Sequence, residues 1–378
     1  MQKKKICFIV AMPGTARSFL RDHMTALHED YEIYFVANIK SEEDLNLLTV
    51  DGYNSVEINR KISLWSDLKS VFQLALYFRK MKFDAVHSLT PKAGLVTSLA
   101  GLIARVPIRI HIFTGQVWAT RKGFMRWMLK KLDTITSALD THILVDGESQ
   151  RQYIINNGVV SDYKSGVLAH GSICGVNTDR FTPSVETRVK ARNELCISDD
   201  KVVFIFMGRL NRDKGMYELL PAFNRLVEKY PNAFLLMFGR DEENIASTFS
   251  QYNNLSKDNF LYYGSTTEAQ KMLQAGDVFV LPTYREGFGT SVIESACLGL
   301  PTITSDAYGV CDASVPYETG LRCKVGDIET LYNCMEELLT DKDKRERFGK
   351  AGRERILKQF KGAVVVEAWK EFYHNLLG

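Results

Sequence analysis

The chain has 378 residues, of which 45% are hydrophobic and 25% charged, with 9 prolines; a wholly disordered chain is excluded, and two domains of roughly 150 to 200 residues are expected. Net charge is only +3, too small for a chain built mainly to grip nucleic acid. The charge is unevenly spread, with 23 basic against 17 acidic residues over 1–185 and 25 against 28 over 186–378.

The chain opens on MQKKKICFIV, basic residues before an apolar run that is too short for a signal peptide and lacks a small-residue cleavage site. Pro13-Gly14 then reads as a turn after a first strand, Lys5 to Val10. Further strands are expected at 33–37, 55–58, 85–88, 108–113 and 142–145, with amphipathic helices between them. The clearest helix covers about 63–81, where Leu64, Leu68, Val71, Phe72, Ala75, Leu76 and Phe78 recur at three- and four-residue steps. Short apolar runs alternating with such segments are the signature of β/α units on a parallel sheet. No run reaches the roughly 18 apolar residues of a membrane-spanning helix.

From Trp118 to Leu132 the sequence WATRKGFMRWMLKKL carries five basic residues, no acidic ones and two tryptophans. Lys122, Arg126 and Lys130 align at four-residue steps beside an apolar stripe of Phe124, Trp127 and Met128, which suits either an anionic membrane surface or a core-packing helix with basic solvent positions. Between His170 and Thr187 periodicity lapses around Gly171, Gly175 and Pro183, so a linker is expected at 178–187. It separates an amino-terminal domain, 1–177, from a carboxy-terminal domain, 188–360, and leaves a terminal helix, 361–378, that could return to the first domain. Strands in the second half are expected at 202–207, 233–238, 260–263, 277–281 and 302–304.

Two stretches of the second half carry chemistry. Phe204 to Met207 runs into Gly208-Arg209-Leu210 and Lys214-Gly215, cations at the carboxyl end of a strand, where open α/β sheets bind ligands. Phe279 to Leu281 runs through Glu286-Gly287-Phe288-Gly289 into a helix starting near Thr290 or Ser291, with Glu294 one turn in. A strand, a glycine-rich loop and a helix aim backbone N–H groups and a helix dipole at an anion. Arg209 and Lys214 can neutralise a diphosphate leaving group without a metal. The blander reading makes Arg212, Asp213 and Lys214 a solvated turn, Glu286 a turn residue and Glu294 a surface residue. Asp341-Lys342-Asp343, the nearest metal-like pattern, reads as charged surface. The seven cysteines are odd in number and never spaced C-x-x-C, which fits free cytosolic thiols rather than a disulfide or zinc framework.

Gly208-Arg209-Leu210, Lys214-Gly215, the E-x7-E frame of Glu286 and Glu294, and Gly299-Leu300-Pro301 together resemble the retaining glycosyltransferases of family 4. The resemblance implies the GT-B architecture, two Rossmann-like β/α/β domains facing a cleft, and a nucleotide-sugar donor, a UDP-sugar, held mainly by the second domain. In that frame Arg209 and Lys214 contact the diphosphate and Glu286 the donor sugar. Glu294 meets the ribose, and N–H groups from Gly287, Phe288, Gly289 and Thr290 lie near sugar and phosphate. Gly208 is a further donor-binding position, Ser265 and Thr266 lie by the base, and no protein nucleophile or metal cofactor is required. The first domain departs from the family pattern. One glycine, Gly14, stands where many relatives have a pair and is the expected donor-binding position of this domain, and Thr114, the expected acceptor-side position, stands where many have a histidine. Lys92 is a candidate contact for an acceptor diphosphate. The resemblance further implies a lipid-linked glycan acceptor, surface-glycan assembly, and peripheral attachment at the cytoplasmic face of the inner membrane. The rival readings are a non-catalytic nucleotide-sugar-binding subunit of a glycan-assembly complex, and a dinucleotide-dependent oxidoreductase. The latter lacks its G-x-G-x-x-G turn, since the first loop reads MPGTARSF.

Overall fold

A computed structural model describes residues 3–59 and 63–378. By its internal contacts the chain divides into two units, 1–174 with 362–378, and 175–361. In chain order the first holds β1 Lys5–Ile9, α1 Pro13–Phe19, α2 Arg21–Leu27, β2 Glu32–Ala37, β3 Gly52–Ser55, α3 Leu64–Met81, β4 Ala85–Leu89, α4 Pro91–Ala104, β5 Ile108–Phe113, α5 Gly123–Leu139, β6 His142–Val145, α6 Glu148–Asn156 and β7 Ser165–Val167. The second holds α7 Val185–Glu194, β8 Val202–Met207, α8 Met216–Lys229, β9 Ala233–Phe238, β10 Phe260–Gly264, α9 Ala269–Met272, β11 Val278–Leu281, α10 Thr290–Cys297, β12 Thr302–Ser305, α11 Val310–Ala313, β13 Gly320–Cys323, α12 Ile328–Thr340 and α13 Lys342–Gln359. The last helix, α14 Gly362–Leu377, belongs to the first unit.

Each unit is built on one parallel sheet, in the orders β3-β2-β1-β4-β5-β6-β7 and β10-β9-β8-β11-β12-β13. In the second sheet β8, β9 and β11 are apolar throughout, as strands covered on both faces are; β9, AFLLMF, is buried at every position. In both sheets the chain winds outward from the middle and then returns to the other side of its first strand. The crevice between β1 and β4, and that between β8 and β11, are therefore switch points, where loops at the carboxyl ends of the strands diverge and ligands of such sheets bind.

α14 docks through residues four apart. Val365, Trp369 and Tyr373 are buried, Trp369 stacks on His23 at 4.1 Å and on His87 at 5.0 Å between ring centroids, and the Tyr373 hydroxyl is hydrogen-bonded to His87 Nδ1 at 2.7 Å. Burial holds the His23 imidazole down at about 4 and so neutral.

Several local expectations change. The third strand is Gly52–Ser55 rather than 55–58; Val56 and Ile58 are buried just beyond it, and the Val56 N–H still donates to the Ala37 carbonyl of β2 at 3.0 Å. The short strands β7 and β13, SGV and GLRC, carry too little apolar run to be read locally, and the neighbouring strand recruits them. Pro13 opens α1 rather than a turn, since proline suits the first helical position. The stretch 178–187 lies inside the second unit: the Arg180 guanidinium donates to Gln270 Oε1 and the Thr267 carbonyl, and the Ser184 N–H donates to Gln274 Oε1. The basic helix begins at Gly123, after a 3-10 turn at Val117–Thr120. Trp118 is buried, and its indole N–H donates to Asp133 Oδ2 at 2.8 Å. Arg126 lies over that ring at 5.2 Å.

Candidate functional site

The two chemistry-bearing stretches of the second half follow adjacent strands, β8 and β11, whose pairing runs from Val278 opposite Phe204 to Phe279 opposite Ile205. Leaving β8, the chain turns at Gly208 and Arg209 and makes a short 3-10 turn, Arg212–Lys214. Asn211 caps that turn by accepting from the Lys214 N–H at 3.2 Å. Gly215 then takes φ +76°, and a Cβ there would lie 2.1 Å from the Pro282 carbonyl oxygen. Only glycine lets the loop after β8 press on the loop after β11.

That contact sets the site. Lys214 Nζ is ion-paired with Glu286 Oε1, and the two side chains are only 14% and 13% exposed. The groups read from sequence as diphosphate and sugar contacts therefore bridge the crevice and pair with each other. Arg285 donates to Asp213 Oδ2 at 2.9 Å, a second tie between the loops, and Thr283 Oγ1 donates to the Asp213 carbonyl. Arg209 is half exposed and donates to Glu242 Oε2 at 3.1 Å, which also accepts from Asn211 Nδ2. Glu242 follows β9 and was not singled out from sequence. An acidic residue just past a buried strand, on the edge that carries Arg209, was the available signal.

The loop after β11 is held from beneath. Phe288 is buried and packs on Phe360 with centroids 5.2 Å apart, so it offers a ligand its backbone rather than its ring. Gly309, at φ +80°, leaves room for the Glu286 carbonyl, which a Cβ would meet at 2.4 Å. α10 starts from Gly289 with no side-chain cap, and its first N–H groups, at Thr290 and Ser291, are left for an anion. Glu294 lies one turn in. Burial raises its carboxyl from 4.5 to about 7, opposed by the charge of Arg180. Arg180 is a further group the sequence reading passed over, because it sits in a segment taken as linker.

Gly208, Arg209, Lys214, Glu286, Gly287, Phe288, Gly289, Thr290 and Glu294 are thus gathered on two facing loops and one helix. Ser265 and Thr266 follow β10, at the edge of the same sheet and two strands from β8. Ser265 is exposed, and Thr266 Oγ1 accepts from the Glu268 N–H at 3.0 Å. In the first unit Gly14, Lys92 and Thr114 follow the adjacent strands β1, β4 and β5. Gly14 is exposed in the first turn of α1. Lys92 is ion-paired with Asp67 of α3, and Thr114 precedes Gly115 at φ +104°. Thr90, between β4 and α4, has φ +78°, unusual for a β-branched residue and located at the switch point of this sheet.

Two units, each built on one parallel Rossmann-like sheet with its crevice at a switch point, have the GT-B architecture. Residues 187–355 match the family model for glycosyl transferases group 1. The chain is 32% identical over 349 residues to the capsular polysaccharide biosynthesis glycosyltransferase CapM of Staphylococcus aureus, covering 89% of this chain and 91% of that protein. It is 24% identical over 385 residues, 99% and 98% of the two chains, to the UDP-Gal:alpha-D-GlcNAc-diphosphoundecaprenol alpha-1,3-galactosyltransferase of Escherichia coli. In fold it is similar to HepE of Anabaena, solved in complex with UDP and glucose, with a TM-score of 0.82 and 15% identity over 99% of this chain and 100% of that one. The chain belongs to the group 1 glycosyl transferases.

Proposed function

We propose that the protein is a retaining glycosyltransferase that moves a sugar from a UDP-sugar to a polyprenyl-diphosphate-linked glycan at the cytoplasmic face of the inner membrane, in surface-polysaccharide or glycoprotein-glycan assembly. The observation that carries this reading is the partly buried Lys214–Glu286 pair across the β8/β11 crevice, with Arg209 and the uncapped start of α10 on the same edge. It is supported by the E. coli relative, whose name states a UDP-Gal donor and a diphosphoundecaprenol acceptor.

The chemistry follows from the charges. The bond between the sugar C1 and the β-phosphate oxygen breaks, and UDP leaves with the bonding pair. The acceptor hydroxyl oxygen bonds to C1 on the same face, and its proton passes to the departing phosphate oxygen. Negative charge grows on the diphosphate as the bond breaks, and fixed donors aimed there lower the barrier. Lys214 and Arg209 supply cations, and the N–H groups at the start of α10 supply the helix end. Glu286, once Lys214 turns to phosphate, is left to accept hydrogen bonds from donor-sugar hydroxyls, and Glu294 from the ribose. Because these groups meet the leaving charge, transfer is expected to survive chelation by EDTA.

A panel of nucleotide sugars with a lipid-diphosphate acceptor, the product anomer being assigned by NMR, tests the reading. The expected result is transfer from one UDP-sugar with the donor's anomeric configuration kept. Tight UDP-sugar binding with neither transfer nor slow hydrolysis would point instead to a non-catalytic binding subunit. Full activity in Glu286→Gln would remove the site assignment.

A further inference from the structure

One face of the first unit carries an apolar surface that the transfer chemistry does not use. On α3, Leu64, Leu68, Phe72 and Leu76 recur every four residues with Trp65 beside them, and their exposures are 76%, 60%, 66%, 51% and 85%. The packing of α3 on its unit is done by a neighbouring stripe, Val71, Leu74, Ala75 and Phe78. On α5 the exposed rings of Phe124 and Trp127 stack with centroids 5.6 Å apart. Both helices pack on α4. Between them opens a pocket of about 220 Å³ with Leu64 of α3, Leu95 of α4, and Leu129 and Leu132 of α5 in its wall. Of the exposed groups on α3 and α5, Leu64 reaches this opening, whose wall also holds Asp67, Lys92 and Asp133.

The exposed charges carried by α3, α4 and α5 themselves are all positive. The acidic side chains within α3, α4 and α5 are Asp67 and Asp133, and both are taken up internally, by Lys92 and by the Trp118 indole. Lys69, Lys80, Arg121, Lys122 and Lys131 are exposed, and on the helical wheel Lys69 and Lys80 border the apolar stripe at Leu76. Large apolar patches on soluble chains mark interaction surfaces. A second copy of this chain would set cations against cations. An anionic bilayer satisfies both the stripe and its rim.

We propose that α3 lies in the interface of an anionic bilayer, with Leu64, Trp65, Leu68, Phe72 and Leu76 among the acyl chains and the cations of α3 and α5 on lipid phosphates. This deepens the membrane-face reading above, on which it rests, by making α3 the inserting element rather than the 118–132 segment. Within that segment Trp118 is buried, and Arg126 is engaged with its ring.

The test is sedimentation of the full-length protein with vesicles of equal parts phosphatidylglycerol and phosphatidylethanolamine, with phosphatidylcholine vesicles as the uncharged control. Wild type is expected to bind the anionic vesicles, and brominated lipid is expected to quench a fluorescence component that Trp65→Phe removes. Leu68→Ser combined with Phe72→Ser is expected to weaken vesicle binding about tenfold or more, with thermal unfolding and UDP binding unchanged. Unchanged vesicle binding by that variant overturns the proposal, as does its loss of a wild-type dimer in analytical ultracentrifugation, which would make the face a self-interface. UDP titration of wild type fails separately: no UDP binding would sink the donor reading and leave the vesicle result standing.

Discussion

As sequences, α3 of the first unit and α8 of the second are alike, yet the fold uses them differently. Both repeat apolar residues at helical spacing beside charged ones. α8 buries its whole stripe, including Met216, Leu219, Leu220, Phe223 and Leu226, and leaves Arg225 and Lys229 outside to pair with Glu329 and Glu336. α3 carries apolar residues over more than half of its circumference. One stripe packs on the unit, and the next, from Leu64 to Leu76, meets solvent. Apolar periodicity thus predicts that a segment is helical, but not how many of its apolar residues the fold can cover. An amphipathic arc wider than its docking site leaves a surplus, and that surplus is where an external partner is to be sought.

The contrast can be broken most directly on α3 itself. Leu74→Ala, from the packed stripe, is expected to cost about 2–5 kcal/mol in urea unfolding, whereas Leu68→Ala one turn and a half away is expected to stay within about 0.5 kcal/mol. Equal costs would mean that the outer stripe is packed after all.

In the second unit the decisive groups are polar. Lys214→Ala and Glu286→Gln are each expected to lower kcat/KM by about 10²–10³-fold, in the range for losing one preorganised group at a developing charge, while the unfolding transition stays close to wild type. Collapse of that transition would make the pair a structural clamp. Gly215→Ala tests the loop contact beneath it. A Cβ at φ +76° against the Pro282 carbonyl is expected to cost about 1–3 kcal/mol of stability and to weaken UDP binding, measured by differential scanning calorimetry and UDP titration.

The smallest effect concerns protons. Glu294 has its carboxyl raised to about 7 by burial, so the folded unit holds a proton that the unfolded chain releases near 4.5. Its contribution to stability is fully present below about 4.5 and is lost as pH rises through about 7. Donor binding runs the other way. In the proposed donor site the ribose hydroxyls need the Glu294 carboxylate, so UDP affinity is expected to fall by up to about tenfold per pH unit below 7. Glu294→Gln should flatten both profiles. A UDP affinity independent of pH between 5 and 8 would remove Glu294 from the donor site.

Much of the second unit was legible because its signals are local. A six-residue apolar strand followed by Gly208-Arg209 and a strand followed by a glycine-rich loop and Thr290 each specify a turn and the side chains it presents, and the fold keeps them. What escaped depended on distant partners. Glu242 meets Arg209 because β9 lies beside β8, and Arg180 acts on Glu294 because its segment folds onto the second unit. β7 and β13 become strands because an existing edge offers hydrogen bonds. In the first unit Trp118, read with the basic helix, is drawn inward by the buried Asp133 carboxylate fifteen residues on.

The sequence by itself determined the two β/α units, the glycine-rich loops after β8 and β11 and the charged groups on them, since alternating apolar runs, glycines and cations act through neighbours a few residues away. Tertiary structure alone decided that Lys214 and Glu286 face each other and that the final helix is pinned between two histidine rings of the first unit. It also decided that one stripe of α3 is core and the next is surface. These depend on strand order and on the area one helix can cover, which couple residues far apart in the chain.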